Sequence, residues 1–114
     1  MARKLDLNAL EQPTLELTLM DDNHTMVRLI APDVDLIERL QSAAPKLKKV
    51  ADSNDGDSIK AVYDLFADII SNNLEGLTVT VEELRDVYRV RFVHLMVIAA
   101  NYLEFINEIK SAKN

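Results

Sequence analysis

The chain has 114 residues, a formal charge of −6 at neutral pH, 48% hydrophobic and 28% charged residues, two glycines, three prolines and no cysteine. That length holds a single domain that buries roughly 60 to 65% of its unfolded surface, and the composition is that of a folded globular protein rather than a disordered one. The lack of cysteine excludes a disulfide framework, a thiolate nucleophile and thiolate metal sites; the acidic balance, seven basic against eight acidic groups in residues 1–50 and six against eleven in 51–114, works against binding to a phosphate backbone.

The opening Met1–Leu10 carries basic residues but no continuous apolar run, so it does not read as a secretory signal, and the expectation is a cytoplasmic protein. No membrane span is expected. The most apolar stretch, Phe92–Ile109, is interrupted by His94, Asn101, Glu104, Asn107 and Glu108, short of about 20 continuous apolar residues.

Residues 14–31 alternate in a way that predicts a β-hairpin around Asp21, Asp22, Asn23 and His24. Leu15, Leu17 and Leu19 share one face of the first strand, and Val27, Leu29 and Ala31 share one face of the second. Directly opposed residues point the same way, so pairing Leu19 with Val27 and Leu17 with Leu29 centres the turn on Asn23. The other face carries Glu16, Thr18, Met20, Met26, Arg28 and Ile30. From it Met20, Met26, Arg28 and Ile30 are the candidate partner-binding residues, because the helices pack on the leucine face and leave this one uncovered. Two strands are marginal alone, and the hairpin's edge invites a third short strand from Lys4–Leu7 or from a partner.

Helices follow at residues 34–51, 58–74 and 81–110. The first is capped by Asp33 and striped by Ile37, Leu40, Ala44, Leu47 and Ala51. Pro45, which clashes with the carbonyl four residues before it, predicts a kink or break near Ser42–Ala44. Asp52–Asp57 resembles a calcium loop only superficially: aligning Gly56 with the required glycine puts Ala51 at the first ligand and Val62 at the bidentate glutamate. It reads as a turn before a helix capped by Asp57, with Ile59, Val62, Phe66, Ile69 and Ile70 buried and Gly76 as the stop. Thr80-Val81-Glu82-Glu83 is a capping box. The helix it opens, unbroken or stepped around Arg89–Arg91, leads into Phe92–Ile109, whose apolar circumference predicts a central helix that other elements surround. The fold class is therefore α+β: an N-terminal hairpin packed on a bundle of three to four helices with a long central C-terminal one, all in one domain over residues 1–114.

Side chains with chemical potential are few. Neither His24 nor His94 has a companion at metal-binding spacing. Asp64 and Asp68 form an i, i+4 pair of the kind amphipathic helices carry on their wet face. Arg85, Arg89 and Arg91 could clamp an acidic partner segment, with Glu82 and Asp86 near enough to pair with them internally. No glycine-rich phosphate loop or nucleophile motif occurs. No catalytic, cofactor-binding or metal-ligating residue is assigned.

The stretch Glu75-Gly76-Leu77-Thr78-Val79-Thr80-Val81-Glu82-Glu83-Leu84-Arg85-Asp86-Val87-Tyr88, continued by Leu95–Ile109, resembles the small tail assembly chaperones of long-tailed bacteriophages of Gram-positive hosts. The start, Lys4-Leu5-Asp6-Leu7 through Gln12-Pro13 into Leu15-Glu16-Leu17, is similar in style. The resemblance implies a non-enzymatic protein of the host cytoplasm that coats the long helical tape measure protein, brings tail tube subunits to it, and is often also made in a longer frameshifted form. Association into a homo-oligomer is open. The alternative from another class is an acidic regulatory binding module, a DNA mimic or anti-repressor, which requires Asp64, Asp68, Glu75, Glu82 and Glu83 to form one continuous acidic surface.

Overall fold

The computed structural model describes residues 13–112; the Lys4–Leu7 segment lies outside them. Strands β1 (Leu15–Thr18) and β2 (Met26–Leu29) form an antiparallel hairpin. Helices α1 (Val34–Ala43) and α2 (Leu47–Ser53) follow, separated by a 3₁₀ turn at Ala44–Lys46, and then α3 (Gly56–Ser71), α4 (Val81–Asp86) and α5 (Phe92–Ala112). The architecture is α+β, a hairpin packed on helices with a long C-terminal one.

The hairpin register differs from the sequence expectation. Leu17 faces Val27 and Leu15 faces Leu29, with Thr18 opposite Met26, an offset of two residues from the pairing of Leu19 with Val27. A two-residue offset keeps every side chain on its expected face, and Leu19, Val27 and Leu29 are indeed buried. Turn chemistry fixed the offset. The Asp21 carboxylate accepts from the Thr25 amide at 2.7 Å and from the Thr25 hydroxyl, the His24 amide donates to the Asp21 carbonyl at 3.0 Å, and the Leu19 amide donates to the Thr25 carbonyl at 2.7 Å. This Asp-anchored turn centres on Asp22, not Asn23, and places His24 in the left-handed region, at φ 49°.

The outer edge of β2 is covered from within the chain. The Ile30 amide donates to the Asn72 carbonyl at 3.1 Å and the Leu74 amide to the Arg28 carbonyl at 3.0 Å, with a bridge between Leu29 and Asn73. This pairing explains why α3 ends at Ser71 and not near residue 74: Asn72–Leu74 are drawn into an extended path along β2. Gly76, at φ 72°, then turns the chain.

Pro45 acts as the sequence predicts, ending α1 at Ala43 and forcing the tighter turn. Asp33 caps α1, its carboxylate accepting from the Leu36 amide at 2.8 Å. Left-handed Asn54 stops α2. Asp55 rather than Asp57 caps α3, accepting from the Asp57 amide and, at 2.8 Å, from the Ser58 hydroxyl. The Thr80–Glu83 capping box closes in both directions, at 3.1 and 3.2 Å.

The final helical segment is stepped, not continuous over 81–110. Beyond Asp86 the chain reverses through Arg89 at φ 55°, and the Val90 amide returns to the Leu84 carbonyl at 2.9 Å. At the start of α5, His94 Nδ1 accepts from the Arg91 amide at 2.9 Å. The histidine of α5 is thus a capping group.

The most enveloped element is α3, not α5. Val62, Tyr63, Leu65, Phe66, Ala67, Ile69 and Ile70 are all buried, and burial of each valine, leucine, isoleucine or phenylalanine among them stabilises the fold by about 1.5 to 3 kcal/mol. α5 packs with one face, Leu95, Ile98, Ala99, Tyr102, Phe105 and Ile106. Its opposite side remains outside, with Val93 62% and Val97 57% exposed. Between Phe92 and Lys110 the mean hydropathy of 1.2 suffices, by length and composition, for a membrane crossing. Here the buried face is docked against the rest of the fold.

Candidate functional site

Burial of an α-helix on one face calls for apolar residues at i, i+3, i+4 and i+7. α5 has two such sets. Leu95, Ile98, Ala99 and Tyr102 meet the core, whereas Val93, Met96, Val97 and Ala100 repeat the same spacing on the exposed side. A second apolar stripe on which no described residue packs is the surface another helix would cover.

Beside this stripe lies β1. Leu17, Thr18, Leu19 and Met20 form one wall of a cavity of about 200 Å³, and Val90, His94, Val97 and Ile98 form the other. Apart from the Thr18 hydroxyl and the His94 ring, its lining side chains are aliphatic or thioether. Leu17 is only half-buried, Met20 is 43% exposed, and no described segment pairs with the outer edge of β1. Among the described residues the site therefore combines backbone groups on an unpaired strand edge with an apolar wall.

The four hairpin residues singled out from sequence separate in the structure. Met20 lines the cavity, and Met26, also 43% exposed, stands opposite Thr18 of its rim. Arg28 is committed elsewhere: its amide and its Nε each donate at 2.7 Å to the Glu75 carboxylate. Those two bonds hold Glu75 below the usual carboxylate range, the backbone bond contributing most. Ile30 is half-buried, and its carbonyl accepts from the Tyr102 hydroxyl at 2.7 Å and from Asn72 Nδ2 at 3.3 Å. Periodicity could have found the α5 stripe. Reading Phe92–Ile109 as one helix apolar over most of its circumference hid that its residues divide into two helical sets requiring two different covers.

Three of the five acidic residues that the regulatory alternative requires, Asp68, Glu75 and Glu83, have partners within the chain. Asp68 pairs with Arg39 at 2.8 Å, Glu75 with Arg28, and Glu83 closes the capping box. Arg89, in the turn between α4 and α5, pairs with Asp22 of the hairpin turn at 3.1 Å and not with Glu82 or Asp86. Arg85 instead lies over the Tyr63 ring, 5.7 Å from its centroid. Among the described residues no group of three His, Asp or Glu side chains is placed to hold a metal ion.

Comparison with protein-family models, with characterised proteins and with solved structures finds no match to this chain.

Proposed function

We propose that the protein is a non-enzymatic tail assembly chaperone of a bacteriophage, acting in the cytoplasm of the infected bacterium by binding the tape measure protein and helping to recruit tail tube subunits. The observation that carries this reading is the uncovered stripe Val93, Met96, Val97 and Ala100, continuous with the apolar wall of β1. A stripe at helical spacing accepts an amphipathic helix laid against it, and a tape measure protein offers long helices that need shielding before a tube surrounds them. Met20 and Met96 suit a client with many similar segments, since unbranched thioether side chains repack against varied shapes. The resemblance of Glu75–Tyr88 and Leu95–Ile109 to tail assembly chaperones supports the same reading.

The test is co-expression with a candidate tape measure protein. Val93→Ser with Val97→Ser is expected to reduce capture severalfold while the helical circular dichroism is retained, because both side chains are more than half exposed. Met26→Ser is expected to have a smaller effect. Undiminished capture by the folded double variant overturns the assignment.

A further inference from the structure

A second cleft lies on another part of the molecule, between α3, α4 and the turn before α5. It encloses about 580 Å³, and Lys60, Arg85 and Arg91 enter it from those three elements. Among the described residues none of the three is in an ion pair, while the remaining described arginines, Arg28, Arg39 and Arg89, are each paired with a carboxylate. In a chain with 19 acidic and 13 basic residues, three cationic side chains from three elements line this one cleft. Glu82 is the one carboxylate that lines the cleft.

One of the three cationic groups is held in place by an aromatic ring. Arg85 rests over the Tyr63 ring, whose hydroxyl is fixed by a 3.0 Å bond to the Val90 carbonyl and whose edge meets Phe92 with ring centroids 6.5 Å apart. Both Arg85 and Arg91 are close enough to counter the upward push that burial exerts on the Tyr63 phenol. Stacking orients a guanidinium without consuming its N–H donors, so the planar fork stays available for a carboxylate. Ile59 and Tyr63 add an apolar floor, which a bare ion does not need but the methylenes of a glutamate side chain do.

We propose that this cleft binds closely spaced carboxylates from an acidic segment of a partner protein. A nucleic acid fits less well, because a long phosphate backbone would run beyond a small cationic cleft onto a protein of net charge −6. The site is separate from the α5 stripe and does not depend on the chaperone reading.

The test is an amide chemical-shift titration of the full chain with a capped Glu-Glu-Phe-Glu-Glu peptide, its all-glutamine counterpart, inorganic phosphate and a twelve-nucleotide thymidine oligomer. The glutamate peptide is expected to give saturable shifts at Ile59, Lys60, Tyr63 and Arg85, weakening as salt rises. Arg91→Gln and Lys60→Gln should each weaken it roughly tenfold, the factor for losing one charge-assisted contact. Neither residue carries the ring stack, so unchanged melting temperatures separate lost binding from lost fold. The proposal is overturned if the glutamine peptide shifts the same amides as strongly, if both variants bind as well as the parent, if phosphate alone matches the peptide, or if the oligomer binds there preferentially. Because no tail protein enters this titration, its failure leaves the chaperone reading where it stands.

Discussion

The Tyr102 hydroxyl donates a 2.7 Å hydrogen bond to the Ile30 carbonyl, 72 positions away in the chain, and so ties the middle of α5 to the end of the hairpin. Burial is the main reason the Tyr102 phenol is pushed up from 10.0 to about 12, the Asp33 charge adding to it and the Asn72 amide opposing it. A raised phenol favours the neutral form in the fold, so this stabilisation is complete below pH 10 and declines as pH rises towards 12, where Tyr102 ionises in the folded chain. Urea unfolding is therefore expected to become easier over that interval. Tyr102→Phe should flatten this alkaline limb without abolishing it, since burial also raises Tyr63 and Tyr88. At neutral pH the variant should cost about 1 kcal/mol, the net value of one hydrogen bond, because Asn72 still serves the Ile30 carbonyl.

At the acid end the relevant groups are Glu75 and Asp21. Arg28 lowers Glu75 from 4.5, through its amide first and its guanidinium second; the Thr25 hydroxyl is the largest influence lowering Asp21 from 3.8. A lowered carboxylate contributes stability above its unfolded value and loses it as pH falls through the folded one. Melting temperatures recorded downward from pH 5 should therefore fall less steeply in Glu75→Gln and Asp21→Asn than in the parent. An unchanged acid slope in both variants would place the loss on other groups.

The two glycines should respond with opposite signs. A Cβ at either would meet nothing within 4 Å, so backbone conformation alone decides. Gly76 sits at φ 72°, and Gly76→Ala is expected to cost about 1 kcal/mol, with Gly76→Asn milder because asparagine tolerates this region. Gly56 opens α3 with no such requirement, and Gly56→Ala should stabilise by about 0.5 kcal/mol by restricting the unfolded chain. Urea midpoints at neutral pH give both values.

The capping box predicts a graded pair. Thr80→Ala leaves the Glu83 amide without its acceptor and should cost about 1 kcal/mol. Glu83→Gln keeps a side-chain acceptor for the Thr80 amide and should cost less. Amide exchange confined to Val81–Leu84 would report the loss locally.

What could be read from the sequence was what short-range chemistry decides. Pro45 broke its helix because the steric conflict lies within one turn, and Thr80 and Glu83 met because the box spans four residues. Alternation assigned Leu19, Val27 and Leu29 to the buried face correctly. The offset of the hairpin escaped because alternation has a period of two and cannot distinguish registers two residues apart; the Asp21–Thr25 bonds make that choice. The end of α3 escaped for a different reason. Asn72–Leu74 continue a helical pattern locally, and only the distant edge of β2 competes for their backbone groups. The relation of α5 to the core was misjudged because apolar character around a helix says that covers are needed, not that all of them come from the same chain.

With Asn72–Leu74 along β2, the sheet can be lengthened on one side only among the described residues, at β1. Among the described residues, a strand that joins there finds no second open edge of this sheet to carry the pairing onward. Strand addition through this sheet is therefore limited to one strand per protomer, which favours a discrete complex over an open-ended stack of hairpins.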